Sequence, residues 1–188
     1  MKRIFFLTFV AVSFANVVDA QECPAAPDHS DGVAALIAQA QTANSQTEAR
    51  VFSNQMWELW TDAPDAKSQG LLDRGMARRE AWDFPGALDE LDDLVAYCPD
   101  YAEGYNQRAF VNYLRQDFAA ALQDLDVAIE LSPNHVAAIS GRALTLLGLQ
   151  RLEEARAALS QALDLNPWLS ERALLAPGGP LEPPGQDI

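Results

Sequence analysis

Apolar residues return at three- and four-residue steps from Ala102 to Arg115 and again from Phe118 to Leu131, the period of a helix buried on one face. Gln116-Asp117 interrupts the pattern, so the stretch predicts two helices joined by a tight polar break. That pair is one copy of a recurring unit. Pro99, Pro133 and Pro167 stand 34 residues apart, and the same step links Ala87, Ala121 and Ala155, then Leu91, Leu125 and Leu159. Gly75, Ala109 and Ala143 form a fourth column, Leu71, Tyr105 and Ile139 a fifth, and Phe84, Phe118 and Leu152 a sixth. Six columns in register over three units mark an array of stacked helical hairpins, each burying its apolar face on its neighbours. The small residues matter sterically, because Ala109 and Ala121 let the two helices of one hairpin approach closely. Each proline ends its unit by removing an amide donor and restricting the residue before it.

Upstream the register slips, since Pro64 lies 35 residues before Pro99. Val33, Leu36, Ile37 and Ala40 make one amphipathic face, and Val51, Phe52, Met56, Leu59 and Trp60 another. They predict a divergent helix pair, Asp31 to Ala43 and Gln46 to Trp60, closing the N-terminal side of the array. Downstream, only Trp168 to Leu175 is available to cover the last apolar face before Ala176-Pro177-Gly178-Gly179-Pro180. A thin cap led by Trp168, Leu169 and Leu174 is expected there, followed by a disordered Pro/Gly-rich tail. The divisions expected are a signal peptide over 1–20, a Pro-rich leader over 21–30 and the helix pair within 31–67. Repeats follow over 68–101, 102–135 and 136–167, then the cap over 168–175 and the tail over 176–188.

These columns resemble the tetratricopeptide repeat over Ser68 to Pro167: small residues at the eighth and twentieth positions, an aromatic or Leu at the seventeenth, Pro at the thirty-second. The first unit departs where Leu94 replaces the usual Ala, kept as Ala128 and Ala162 in the others. All three carry Arg (Arg74, Arg108, Arg142) where Leu is commoner. In many similar repeats that Arg faces an acidic residue sixteen positions on, here Glu90 and Asp124; Arg142 meets Ala158 there, which points it back to Asp124. The resemblance implies an all-α, right-handed helical-hairpin solenoid whose concave wall comes from the first helix of each unit. On this chain the wall falls on Gln69, Leu72, Met76 and Arg79, then Glu103, Asn106, Phe110 and Tyr113, then Ala137, Ser140, Leu144 and Leu147. Leu72, Met76, Asn106, Phe110, Tyr113, Leu144 and Leu147 are the candidates for touching a partner in this groove. The Met56-Trp57-Glu58-Leu59-Trp60 run and the stretch Asp100 to Arg108 resemble exported repeat proteins of alphaproteobacteria, a group for which the resemblance implies location and shape and no settled activity.

Charge and the chain start decide the compartment and exclude some partners. Met1-Lys2-Arg3, an apolar run from Ile4 to Val18, and small residues at Val18 and Ala20 read as a secretory signal cleaved before Gln21. The apolar run is short for a bilayer span, which needs about 20 residues. Ala20-Gln21-Glu22 before Cys23 does not fit a lipoprotein signal. The mature protein is expected in the periplasm or outside the cell, without stable membrane insertion. With 13 Lys+Arg against 27 Asp+Glu, the chain carries a formal −14, and its arginines are spaced out, which excludes a nucleic-acid partner. In an oxidising compartment Cys23 and Cys98 are candidates for a disulfide pinning the leader to the body, with free or intermolecular thiols as the alternative.

Nothing nominates catalysis. The chain has no Gly-x-Ser-x-Gly elbow, no His-Glu-x-x-His, no phosphate loop and no Cys-x-x-Cys. His29 falls in the leader and His135 in the turn after Pro133, where solvation or helix capping explains each. Asp89-Glu90 and Asp92-Asp93 lack the oxygen-ligand alternation of a calcium loop. No cofactor or metal is expected, and an enzyme is disfavoured. Two readings remain. One is an adaptor or assembly factor taking an apolar or amphipathic protein segment in the groove. The other is a homo-oligomeric scaffold joined through Leu163, Trp168 and Leu174.

Overall fold

Asp65, Asp83 and Asp117 each accept the amide of the third residue that follows, and each starts a helix in this way. At Asp65 the arrangement is reciprocal, because the Ser68 hydroxyl also takes the Asp65 amide. The computed structural model describes residues 22–185. Its helices run α1 (Ser30–Thr42), α2 (Gln46–Trp60), α3 (Ala66–Glu80), α4 (Phe84–Tyr97), α5 (Ala102–Leu114), α6 (Phe118–Leu131), α7 (Val136–Gly148) and α8 (Leu152–Leu165). A 3-10 turn over Ser170–Leu175 follows, and no strand occurs among the described residues. The signal-peptide segment and the last three residues lie outside the described residues.

Helices α3 to α8 form three hairpins, α3 with α4, α5 with α6 and α7 with α8, and successive hairpins stack in chain order. Trp82, Gln116 and Gln150 close the three intra-hairpin turns with φ of 60°, 62° and 59°. At each, the next amide reaches back five residues to a helix carbonyl at 2.9 Å: Asp83 to Arg78, Asp117 to Asn112, Arg151 to Leu146. The small-residue column sits where hairpin helices touch. A Cβ on Gly75 would lie 2.8 Å from Leu91 Cγ, so a larger residue in the first unit would have to displace Leu91, whereas Ala109 and Ala143 fit fully buried in the next two.

The arginine column forms a ladder across the units. Arg74 pairs with Glu90 at 2.8 Å, and Arg108 holds Asp124 through two nitrogens and Asp92 through a third. Arg142 pairs with Asp126 at 2.7 Å, not with Asp124, because Arg108 already saturates that carboxylate. These pairs raise the Arg108 guanidinium, chiefly through its hydrogen bonds to Asp124.

Both flanks differ from expectation. The pair α1 and α2 does not cap α3; it packs against α8 and the start of α7, with Val33, Ile37 and Met56 on Val136, Leu165 and Leu169. Gln41 Nε2 donates to the Asp164 carbonyl at 2.7 Å, and Asn166 Nδ2 donates to Ser53 Oγ at 3.1 Å. Two aromatic contacts explain the preference. Trp60 finds a flat partner in His135, and the Tyr101 hydroxyl donates to the Trp60 carbonyl at 2.8 Å. The hairpin is therefore a strap from the first unit to the last.

The tail is ordered further than its composition suggests. Leu181 is fully buried against the cluster of Leu146, Ala155 and Leu159, with Leu174 and Leu175 beside it. Its amide donates to the Leu174 carbonyl, and Arg156 donates to the carbonyls of Leu181 and Glu182. The end face expected to be thinly covered is closed by this returning segment. At the other end Cys23 is bridged to Cys98 with a Cα–Cα distance of 5.1 Å, and Ala26 follows it onto the core around Leu94 and Tyr101.

Candidate functional site

Helices α3, α5 and α7 line one concave wall, and a cavity of about 320 Å³ opens in it. Asn106, Phe110, Tyr113 and Leu144 border it, together with Arg79, Ala137 and Ser140 of the expected wall. Phe110 is 44% exposed, an unusual state for a helical Phe amid a packed array. Three other candidates are placed elsewhere. Leu72 is fully buried in the core with Leu91 and Val111, Met76 packs half-buried on the same cluster, and Leu147 packs against Leu146 and Leu159. These three serve stacking between units and do not face the cavity.

The cavity has walls that position along the repeat could not reveal. Trp57 of the strap and Leu169 and Glu171 beyond α8 complete it. The strap brings Trp57 there because Met56 and Trp60, its neighbours on α2, are packed against the turn residues of the array. The two tryptophans in the Met56 to Trp60 run were the available signal. Their long-range seat was not.

Polar groups are few, and their state is informative. Arg79 lies over the Phe110 ring at 4.8 Å and donates to the side-chain amide oxygen of Gln107. Burial pulls its guanidinium below the usual arginine value, against the raising influence of Glu80 and Glu103. Gln107 and Asn106 in turn donate to Glu103, a carboxylate 1% exposed, which His135 Nε2 also contacts at 2.8 Å. His135 Nδ1 accepts the Ala138 amide and so caps α7, which leaves the proton on Nε2 to point at Glu103. With three donors on Glu103 and both ring nitrogens of His135 engaged, this buried pair is a structural joint. By contrast, Ser140 Oγ and Thr145 Oγ1 border the cavity, are buried, and have no hydrogen-bond partner among the described residues.

Outside the groove, His29 and Asp62 meet at 2.8 Å near the strap's exit. No group of three or more His, Cys, Asp or Glu among the described residues is arranged to hold a metal ion. No helix among them is long and apolar enough to cross a membrane.

Comparison with known proteins agrees with this architecture. Residues 113–171 match the model of the tetratricopeptide repeat family. A TPR repeat-containing protein of Rhizobium etli is 32% identical over 79 residues, which cover 42% of this chain and 39% of the relative's length. Among solved structures, the first TPR of Spaghetti (RPAP3), bound to an HSP90 peptide, superposes with a TM-score of 0.56 at 25% identity. That match covers 57% of this chain and 85% of the other. The TPR2B domain of yeast Sti1, in complex with an Hsp70 peptide, gives 0.54 at 23% identity over 58% of this chain and 90% of that one, a likeness of fold alone. The 34-residue period and the three stacked hairpins agree with these likenesses, so the chain is similar in sequence and fold to tetratricopeptide-repeat proteins.

Proposed function

We propose that this protein is an exported adaptor or assembly factor that holds a segment of another protein against its concave wall. The observation that carries the reading is the open apolar cavity of about 320 Å³ with Phe110 exposed at its edge. A buried apolar anchor supplies much of the affinity of such contacts. Phe110 and Leu144 offer that anchor its seat. The N-terminal sequence supports a periplasmic location, and the oxidising compartment it implies agrees with the Cys23–Cys98 bridge. Solved repeats of similar fold that carry bound peptides support the general role. Packing of Leu181 and Leu174 over the end face through which copies would join favours the adaptor over the scaffold reading.

A photo-cross-linking residue at Phe110, in protein expressed with its own signal, tests the reading. The exposed Gln123 on α6 sets the background. One dominant foreign adduct from Phe110, absent from Gln123, is expected. Adducts only between copies of this chain, or none above background, would sink it.

A further inference from the structure

Arg79 is set apart from the other arginines of the array. Arg74, Arg78, Arg108, Arg142, Arg151 and Arg156 each lie within 2.8 Å of a carboxylate. Arg79 has Glu80 at 3.6 Å, beyond hydrogen-bond reach, and that carboxylate is 74% exposed. A guanidinium carries five N–H donors, and within the chain Arg79 bonds only Gln107. Burial leaves its side chain 12% exposed and disfavours its charge. The buried polar atoms without partners among the described residues belong to Trp60, Ser140 and Thr145, so the free donors of Arg79 still meet solvent. They do so over the ring of Phe110, the exposed residue of the groove. At the other end of the stack, beyond α8, Glu171 borders the same cavity. It is half-buried and accepts only the Ser170 hydroxyl among the described residues. Arg79 and Glu171 are the charged residues of the cavity lining, so the groove is balanced and polarised in a chain whose formal charge is −14.

Resting on the adaptor reading, we infer that the groove takes a charge-polarised segment of the partner: an Asp or Glu side chain on Arg79, a large apolar side chain against Phe110 and Leu144, and a Lys or Arg toward Glu171. The apolar anchor supplies affinity, and the two poles set the direction in which the segment crosses the three hairpins. Each pole offers a charge-assisted hydrogen bond to the right segment. Each also repels a segment laid the other way round, which would bring like charges together.

The test uses the full chain and a random-peptide display library whose members are fused through their C-termini, so that every selected carboxylate is a side chain. Enriched peptides are expected to carry an acidic and a basic residue on opposite sides of an apolar one. The best of them, synthesised with capped ends, should bind Arg79→Gln and Glu171→Lys each about tenfold more weakly than the parent. Gln123→Lys, on the outward side of α6, should bind it as the parent does. Circular dichroism checks that the variants fold, and because Arg79 and Glu171 lie on different elements, a defect in one leaves the other as the test. No enrichment, enrichment of apolar peptides without the two charges, or undiminished binding by a folded variant would overturn the inference. If that happens while the Phe110 cross-linker still captures its foreign partner, the polarity falls and the adaptor stands. If charge-polarised peptides are selected and no foreign adduct forms, the selectivity of the groove stands and the adaptor falls.

Discussion

The imidazole of His135 lies flat on the indole of Trp60, with ring centroids 4.1 Å apart and planes 13° from parallel. One ring ends the strap and the other begins the last repeat hairpin, so the stack joins two elements far apart in sequence. His135 also caps α7 and holds Glu103. Replacing it with Ala removes the stack and the cap, and leaves a buried carboxylate short of one donor. His135→Ala should lower stability by about 3 kcal/mol in urea unfolding. Amide exchange should rise first in α1 and α2. A variant with unchanged exchange there would show that the strap is held by its other contacts alone.

The bridge between Cys23 and Cys98 closes a loop with a sequence separation of 75. Constraining the unfolded chain in this way stabilises the fold by at most roughly 4.5 kcal/mol in the chain-entropy model. Unfolded, unreduced protein should expose no reactive thiol, and dithiothreitol should lower the melting temperature of the parent. Cys23→Ser should melt like the reduced parent and be indifferent to reductant.

Asp65 caps α3, and its carboxyl is held down to about 2 from an ordinary 3.8, first by the Ser68 amide and then by the Tyr97 and Ser68 hydroxyls. A depressed acid of this kind stabilises the fold fully above its unfolded value and loses that contribution as pH falls through the folded one. Melting temperature should therefore drop between about pH 4 and pH 2 in the parent. In Asp65→Asn the drop should be shallower, from a lower starting point at pH 7. Parallel curves for the two proteins would remove Asp65 from the acid response.

Leu181 closes the end of the array as one buried side chain between prolines. Leu181→Ala should cost about 2–4 kcal/mol, the usual range for a fully buried Leu. Deleting residues 177–188 should bare Leu146, Leu159 and Leu174 and make the protein associate as concentration rises, as sedimentation would show. A truncated protein that stays monomeric would mean the 3-10 turn suffices as a cap.

The contrast between array and flanks shows what a sequence exposes. The helices from Ala66 to Leu165 were legible because each contact between neighbouring hairpins recurs at the same spacing, as with Gly75, Ala109 and Ala143. The strap occurs once. Its partners, Asp164 for Gln41 and Asn166 for Ser53, are set by a three-dimensional closure that no period records. Leu181 was hidden for a different reason: the Pro/Gly composition around it describes the turns that bring it back, and the anchoring is done by one residue. At the site, position in the repeat picked out Asn106, Phe110, Tyr113 and Leu144, while Trp57 and Leu169 came with the strap. Leu72 and Leu147 were drawn inward because neighbouring hairpins close over them.

A repeat array held only by nearest neighbours behaves like a row of dominoes, free to fray from either end and to fold from any point. A chord from Gln41 to Asp164 changes that behaviour, because 123 residues must be organised before it forms. Contacts of such separation raise the contact order above that of an open array, and folding is expected to slow accordingly. In return, the terminal hairpin ceases to be a loose end, and the molecule is expected to come apart as one unit.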